Sequence, residues 1–336
     1  MPTLPAAQPG AIKLSMFISP DPADDELIFA RQLGLDCVYT WLEDHQCSFE
    51  YLSALRQKVE AAGLVLYNAG NMSVAKSDKI HLALPGRDES IAEFQNFIRN
   101  LDRAGIHTTT FTWEPDRVWS SPRGVSRGSP ARHVDLAELA LRPLTHAREY
   151  THTELWENFE YFIRRIIPVA EEAGVRLALH PNDPPIAGPL GGIPCLIHSY
   201  ADYQRAFELA ASPNLGMEFC VGCWLEGGSD FGDLFQAIRH FTEQGRIFIA
   251  HFRNISAPLP VFTETYLDNG YMDMYKVMKC FWDSGYAGPM ILDHSPQMAP
   301  SYPGAGTAYA IGYMRALMQR AAQSSEPALL TGSIEN

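Results

Sequence analysis

The chain has 336 residues, of which 46 % are hydrophobic, enough for a large core and too many for a disordered polymer. Its 26 Lys and Arg against 39 Asp and Glu leave a formal charge of −13, which argues against a nucleic-acid or anionic-membrane surface, because both reward basic patches. The opening MPTLPAAQPG lacks a basic stretch followed by an apolar core, and no apolar run approaches the roughly 20 residues that span a bilayer, so a cytoplasmic location is expected.

Taken in chain order, short apolar runs rich in β-branched or aromatic residues alternate with longer amphipathic stretches. Eight strands are predicted: Ile12–Ile18, Cys37–Trp41, Leu64–Asn68, His107–Trp113, Arg176–His180, Leu215–Cys220, Arg246–His251 and Met290–Asp293. Between them lie predicted helices, each followed by a glycine: Asp24–Leu33 before Gly34, Phe49–Ala62 before Gly63, Ser90–Ala104 before Gly105, Thr153–Ala173 before Gly174, Phe231–Gln244 before Gly245, and Met272–Ser284 before Gly285. A glycine just past a helix suits a left-handed C-cap, where a side chain would clash. Eight strands alternating with helices predict a closed (β/α)8 TIM barrel over residues 11–322, a single domain, with flexible tails at 1–10 and 323–336. A doubly wound open sheet is the competing plan.

Two stretches break the rhythm. Glu114–Tyr150 is long and rich in Pro, Arg and Ser, and Ser256–Gly270 is a second long connection. Both follow a strand, so both are expected as loops at the C-terminal face, where barrel active sites sit. The cysteines (Cys37, Cys47, Cys195, Cys220, Cys223 and Cys280) are too widely spread for a disulfide framework and are expected as reduced thiols.

The last four predicted strands end in potential ligands: His180 in VRLALHPNDPP, Cys220 in NLGMEFCVGC, His251 in GRIFIAHFRN and Asp293 in GPMILDHSP. In a barrel these ends converge, so two imidazoles, a thiolate and a carboxylate share one small volume, a donor set for a divalent transition metal. Each residue alone has a plainer use, as a hydrogen-bonded strand end, a small buried thiol or a helix cap, but chance would not align them at four successive ends. Soft thiolate beside imidazole and carboxylate favours Mn2+, Fe2+, Co2+ or Zn2+ over Mg2+ and Ca2+. Cys220-Val-Gly-Cys223 is a lone CxxC, a weak zinc signal, so Cys223 is read as a bystander.

These segments resemble the mannonate dehydratase family over roughly Leu14 to Leu317, most specifically in His180-Pro-Asn-Asp-Pro-Pro185, Gly216-Met-Glu-Phe-Cys220, His251-Phe-Arg253, Met272-Asp-Met274 and Leu292-Asp-His294. The resemblance implies a xylose-isomerase-like barrel that removes water from D-mannonate to give 2-keto-3-deoxy-D-gluconate, a step of hexuronate catabolism. It carries the four metal ligands onto the same strand ends, with Mn2+ or Fe2+ the leading metals. It also implies His294 as an acid–base residue and Tyr309, in Gly304-Ala-Gly-Thr-Ala-Tyr309, as a second proton carrier, although its spacing from Asp293 is one residue off. The family's Phe-His-Glu run and its following His and Gly-Asp are here Phe262-Thr-Glu264, Tyr266 and Gly270-Tyr271.

Around this centre, Arg253 is a candidate clamp for a substrate carboxylate or else a structural ion pair. Asn182 and Asp183 are candidates for sugar hydroxyls or else plain turn formers before the prolines, and Glu264 is a candidate for touching substrate or else a solvated side chain. Trp113 is a candidate for stacking on the sugar or for packing in the mouth. Two rivals stand beside the lyase. A metal-dependent sugar isomerase or epimerase on the same barrel would give a product no lighter than its substrate. A non-catalytic sugar-binding barrel would be indifferent to loss of His294. A homo-oligomer is the expected assembly, with a small sugar acid as ligand.

Overall fold

The computed structural model describes residues 12–115, 118–299 and 304–324. Strands form at each of the eight predicted runs: β1 (Lys13–Phe17), β2 (Cys37–Leu42), β3 (Val65–Asn71), β4 (Thr108–Thr112), β5 (Arg176–His180), β6 (Leu215–Cys220), β7 (Ile247–His251) and β8 (Pro289–Ile291). They join in one sheet in the order β3-β2-β1-β8-β7-β6-β5-β4, with every pairing parallel. Pairing of the first strand with the last curls the sheet into a barrel, as the eightfold alternation predicts. At the β3–β4 seam no backbone ladder joins the two strands among the described residues. There the Asn68 side-chain amide donates across the gap to Thr110 Oγ1 at 3.0 Å.

The six glycines predicted to end helices all hold positive φ, between 62° and 77°. Two outer helices had no sequence prediction of their own bounds. Tyr200–Ala210, between β5 and β6, starts at Ser199, whose hydroxyl accepts from the Asp202 amide. Ala305–Gln323 closes the ring after β8. Its last residue, Gln323, lies inside the expected C-terminal tail. The expected tails at 1–10 and 325–336 lie outside the described residues. None of the described helices is long and apolar enough to cross a membrane.

The two long connections depart from the loops expected of them. Ser121–Ser126 and Ser129–Asp135 form a hairpin, and Asn254–Ile255 and Val261–Thr265 extend it into one four-stranded antiparallel sheet. The hairpin turns on Arg127-Gly128, both at positive φ, the backbone of a tight two-residue connection. Pro122, Gly124 and Pro130 interrupt the alternation that would otherwise mark these strands in the sequence.

Candidate metal centre and active site

Strand register brings the expected ligands together. Cys220 on β6 pairs with His251 on β7, and His251 pairs with Ile291, two residues before Asp293. One donor atom each from His180, Cys220 and His251 lies within 4.8 Å of the others. Asp293 joins this trio on one side, with Oδ1 3.4 Å from His251 Nδ1 and Oδ2 3.6 Å from Cys220 Sγ.

The chemistry of these atoms is that of metal donors. His180 Nδ1 lies 2.7 Å from its neighbour's carbonyl, Pro181 O, a contact that fixes the ring's tautomer and leaves the other nitrogen to face the cluster. Behind His251, Glu218 Oε1 sits 2.7 Å from Nε2, the carboxylate partner that ligating imidazoles commonly have. Neither ring nitrogen of His251 makes a well-directed hydrogen bond, although both are buried. Burial opposes a charged imidazole there, but Glu218 and Asp293 outweigh it and raise the proton affinity of His251 well above the ordinary range. Burial also opposes a Cys220 thiolate. Contact with Cys223 and the charge of Arg253 reverse this and hold the thiol well below its usual pKa. A divalent cation would take the place of the His251 proton and find a thiolate ready made, so the residues fit a metal.

Beneath this cluster runs a buried network of ion pairs. Arg253 is completely buried and each of its nitrogens is engaged: Nε with Asp293 at 2.8 Å, Nη1 with Glu226 and Glu264 at 2.7 Å, and Nη2 with Asp183 at 3.1 Å. Gly222 makes room for it, since a Cβ at that position would overlap the guanidinium. A second arginine, Arg132 on the hairpin, reaches Asp183 at 2.7 Å, Glu264 at 3.2 Å and Glu226 at 3.4 Å. Burial works against ionised Asp183, but the two arginines hold it well below the carboxylate range. Burial and the adjacent Asp183 push Glu226 the other way, well above the carboxylate range, against the pull of Arg253 and Arg132. Only a network this fully paired can hold so many charges out of water.

This placement gives each expected substrate contact partners within the protein itself. Arg253 is the structural ion pair of its two readings, with no free fork to clamp a carboxylate. Asp183 and Glu264, 3 % and 2 % exposed, are its partners. Asn182 is a turn clamp: its amide donates to Trp113 O at 3.1 Å and its carbonyl accepts from Ile197 N at 2.8 Å. Trp113 is buried against His81, Phe159 and Phe162, the packing alternative of its two readings.

His294 is different. Its side chain is 45 % exposed at the mouth, with Nδ1 2.8 Å from Glu264 Oε2 and Nε2 3.4 Å from Asp293 Oδ1. Burial of the ring opposes its charge, and Asp293 and Glu264 more than offset this to raise its pKa. Tyr309 stands on the rim, 37 % exposed, its phenol accepting from Arg127 at 3.4 Å and its ring edge-on to Tyr266. Thr263, where the family pattern has a histidine, bonds instead to His133 Nδ1 on the neighbouring strand at 2.9 Å.

Sequence reading missed Glu218, Glu226 and Arg132. Glu218 had a signal: it lies two residues before Cys220 on one strand, so both side chains share a face. Arg132 had none, because only the fold of the hairpin carries it to the site.

A parallel (β/α)8 barrel that gathers imidazole, thiolate and carboxylate at its C-terminal face is built as a metal-dependent barrel enzyme. The chain belongs to the D-mannonate dehydratase (UxuA) family, whose model matches residues 123–326. It is 31 % identical over 283 residues to the mannonate dehydratase of Thermotoga maritima, covering 73 % of this chain and 77 % of that one. The crystal structure of mannonate dehydratase from Streptococcus suis serotype 2 superposes with a TM-score of 0.82 at 25 % identity, over 97 % of this chain and 99 % of that one. A xylose isomerase domain protein from Planctomyces limnophilus shares the fold, with a TM-score of 0.64 at 16 % identity over 94 % of this chain and all of that one.

Proposed function

We propose that this chain dehydrates D-mannonate to 2-keto-3-deoxy-D-gluconate, with a divalent metal, Mn2+ or Fe2+, held by His180, Cys220, His251 and Asp293. The observation that carries the reading is the convergence of these four side chains beside a half-exposed His294.

Dehydration of an aldonate removes the weakly acidic proton at C2 and expels the C3 hydroxyl, a poor leaving group that must be protonated. A divalent metal held by His180, Cys220, His251 and Asp293 would supply Lewis acidity toward substrate oxygens. The remaining work belongs to the chain. Glu264 holds His294 at Nδ1 and so aims Nε2 at the Asp293 side of the mouth, where it can exchange a proton with substrate. Tyr309 is the second proton carrier in this reading, positioned by Arg127. Arg253, in place of binding substrate, keeps Cys220 ionised and Asp293 oriented.

The test is a chelator-stripped preparation offered D-mannonate before and after addition of Mn2+ or Fe2+, with product followed by mass. Metal-dependent formation of an acid lighter by one water is expected. His294→Asn should lower kcat by about 10²–10⁴-fold with metal content unchanged, the range for loss of a positioned acid–base group. A product of unchanged mass would replace the lyase with an isomerase or epimerase, a rival that the altered run from Thr263 to Tyr271 motivates. Turnover indifferent to His294→Asn would remove that residue from the mechanism.

A further inference from the structure

Away from the mouth, a second set of metal-type donors lies between two outer helices. His152 opens the helix His152–Glu172, His198 lies in the turn before the helix Tyr200–Ala210, and Asp202 is in the first turn of that helix. One donor atom from each lies within 4.8 Å of the others. The two imidazoles meet edge to face, 5.7 Å between centres, and His198 Nδ1 is 3.2 Å from Asp202 Oδ2. None of the three belongs to the mouth cluster.

We propose that His152, His198 and Asp202 form a second divalent-cation site, of Zn2+ type, that ties the starts of these two helices together.

Three observations support it. His152 Nε2 is buried without a hydrogen-bond partner, a nitrogen that a metal would satisfy. Asp202 brings a carboxylate to the imidazoles, its Oδ2 3.2 Å from His198 Nδ1, the anionic oxygen donor that a divalent cation favours. His198 Nδ1 lies 3.1 Å from the Cys195 carbonyl, the kind of backbone acceptor that orients a ligating imidazole. Two imidazoles and one carboxylate with no thiolate suit Zn2+, Co2+ or Ni2+, with water completing the shell. Asp202 also accepts from the Ser199 hydroxyl at 2.7 Å and from the His198 amide at 3.2 Å. A cap of this kind explains the carboxylate but leaves the paired histidines and the orphaned nitrogen unexplained. The positive ends of two helix dipoles oppose a cation here, but weakly beside two imidazole bonds and a carboxylate charge.

The experiment titrates the chelator-stripped full chain with Co2+ and Zn2+ and counts metal after desalting. Wild type should hold two equivalents, with a thiolate-to-Co2+ absorption band from the Cys220 site. His152→Gln and His198→Gln should each hold one and keep that band, whereas Cys220→Ser should hold one and lose it. His152 lies outside the capping contacts between Thr151 and Glu154, so its replacement spares the helix start and serves if His198→Gln does not fold. A wild type with one equivalent and the thiolate band, or histidine variants that keep two, would overturn the proposal. One equivalent without the band would uphold this site and sink the metal reading of the mouth.

Discussion

The two halves of the barrel end their strands in opposite ways. In β5–β8 the C-terminal ends carry His180, Cys220, His251 and Asp293 over buried ion pairs. In β1–β4 the corresponding ends lead mostly into neutral contacts, with an ion pair, Lys76 to Glu114 at 2.6 Å, beyond β3 and β4. Thr40 donates its hydroxyl to Ile18 O at 2.9 Å, Asn71 caps a helical turn at Val74, and Trp113 packs on His81 with ring centres 4.3 Å apart. One half therefore stores charge that only mutual pairing makes tolerable, and the other supplies a rigid wall. The same fold rules make both halves, so the division of labour comes from side chains at a few strand ends.

The largest way to break this contrast is Arg253→Met. Removing the cation leaves Asp183 with Arg132, Glu264 with Arg132 and His294, and Asp293 with only the imidazoles of His251 and His294, all in a buried setting. Loss of one partner from a buried network costs about 3–5 kcal/mol. Urea unfolding should show that loss, together with weakened metal binding because the Cys220 thiolate loses its neighbouring charge. Trp113→Ala, in the other half, should cost a similar 3–5 kcal/mol through its cavity yet leave metal affinity alone. If Arg253→Met unfolds within about 1 kcal/mol of wild type, the pairs do not hold this half together, contrary to the usual behaviour of buried charges.

A smaller effect sharpens the contrast within the charged half. Glu218 touches His251 from behind, and its replacement by Gln keeps the shape but removes the charge. Metal affinity should fall about 10–100-fold, the usual consequence of losing a carboxylate behind a ligating imidazole. Calorimetric titration with Mn2+ reads it directly. Asn68→Ala, at the seam of the neutral half, should leave the affinity unchanged. Equal affinities for Glu218→Gln and wild type would mean that His251 needs no such support.

How far the sequence foretold this division follows from the range of the forces involved. The strands, the helix-ending glycines and the convergence of the four strand-end donors were legible because periodicity of apolar residues and chain order alone place them. The roles of Arg253, Asp183, Asn182, Glu264 and Trp113 were left open, because a strand-end position does not say whether a side chain faces the mouth or the packing beneath it. Arg253 turns under the helix Val221–Gly227, through space left by Gly222, a route that exists only once β6 and β7 are paired. The hairpin strands were read as loops because Pro and Gly mask their alternation. Arg132 was consequently invisible, since its partners lie about 50 or more residues away along the chain.

The smallest effect belongs to the neutral half and concerns pH. His81 is 2 % exposed, its Nδ1 has no hydrogen-bond partner, and burial, with a lesser push from Lys76, lowers its pKa from 6.5 to about 3. The folded protein therefore keeps His81 neutral at pH values where the unfolded chain would protonate it. Its stabilising contribution is full above about pH 6.5 and is lost progressively as pH falls toward the folded value, by about 1.4 kcal/mol per unit. Other groups titrate in the same range, so the measurement is a double difference: wild type against His81→Leu, each unfolded in urea at pH 7.5 and pH 5.5. Between those values the wild type should lose about 1.4 kcal/mol more than the variant. Equal losses would show that His81 takes up its proton in the folded state. The wall of Trp113 and its neighbours would then admit charge as readily as the metal side does, and the contrast between the two halves would lose its electrostatic basis.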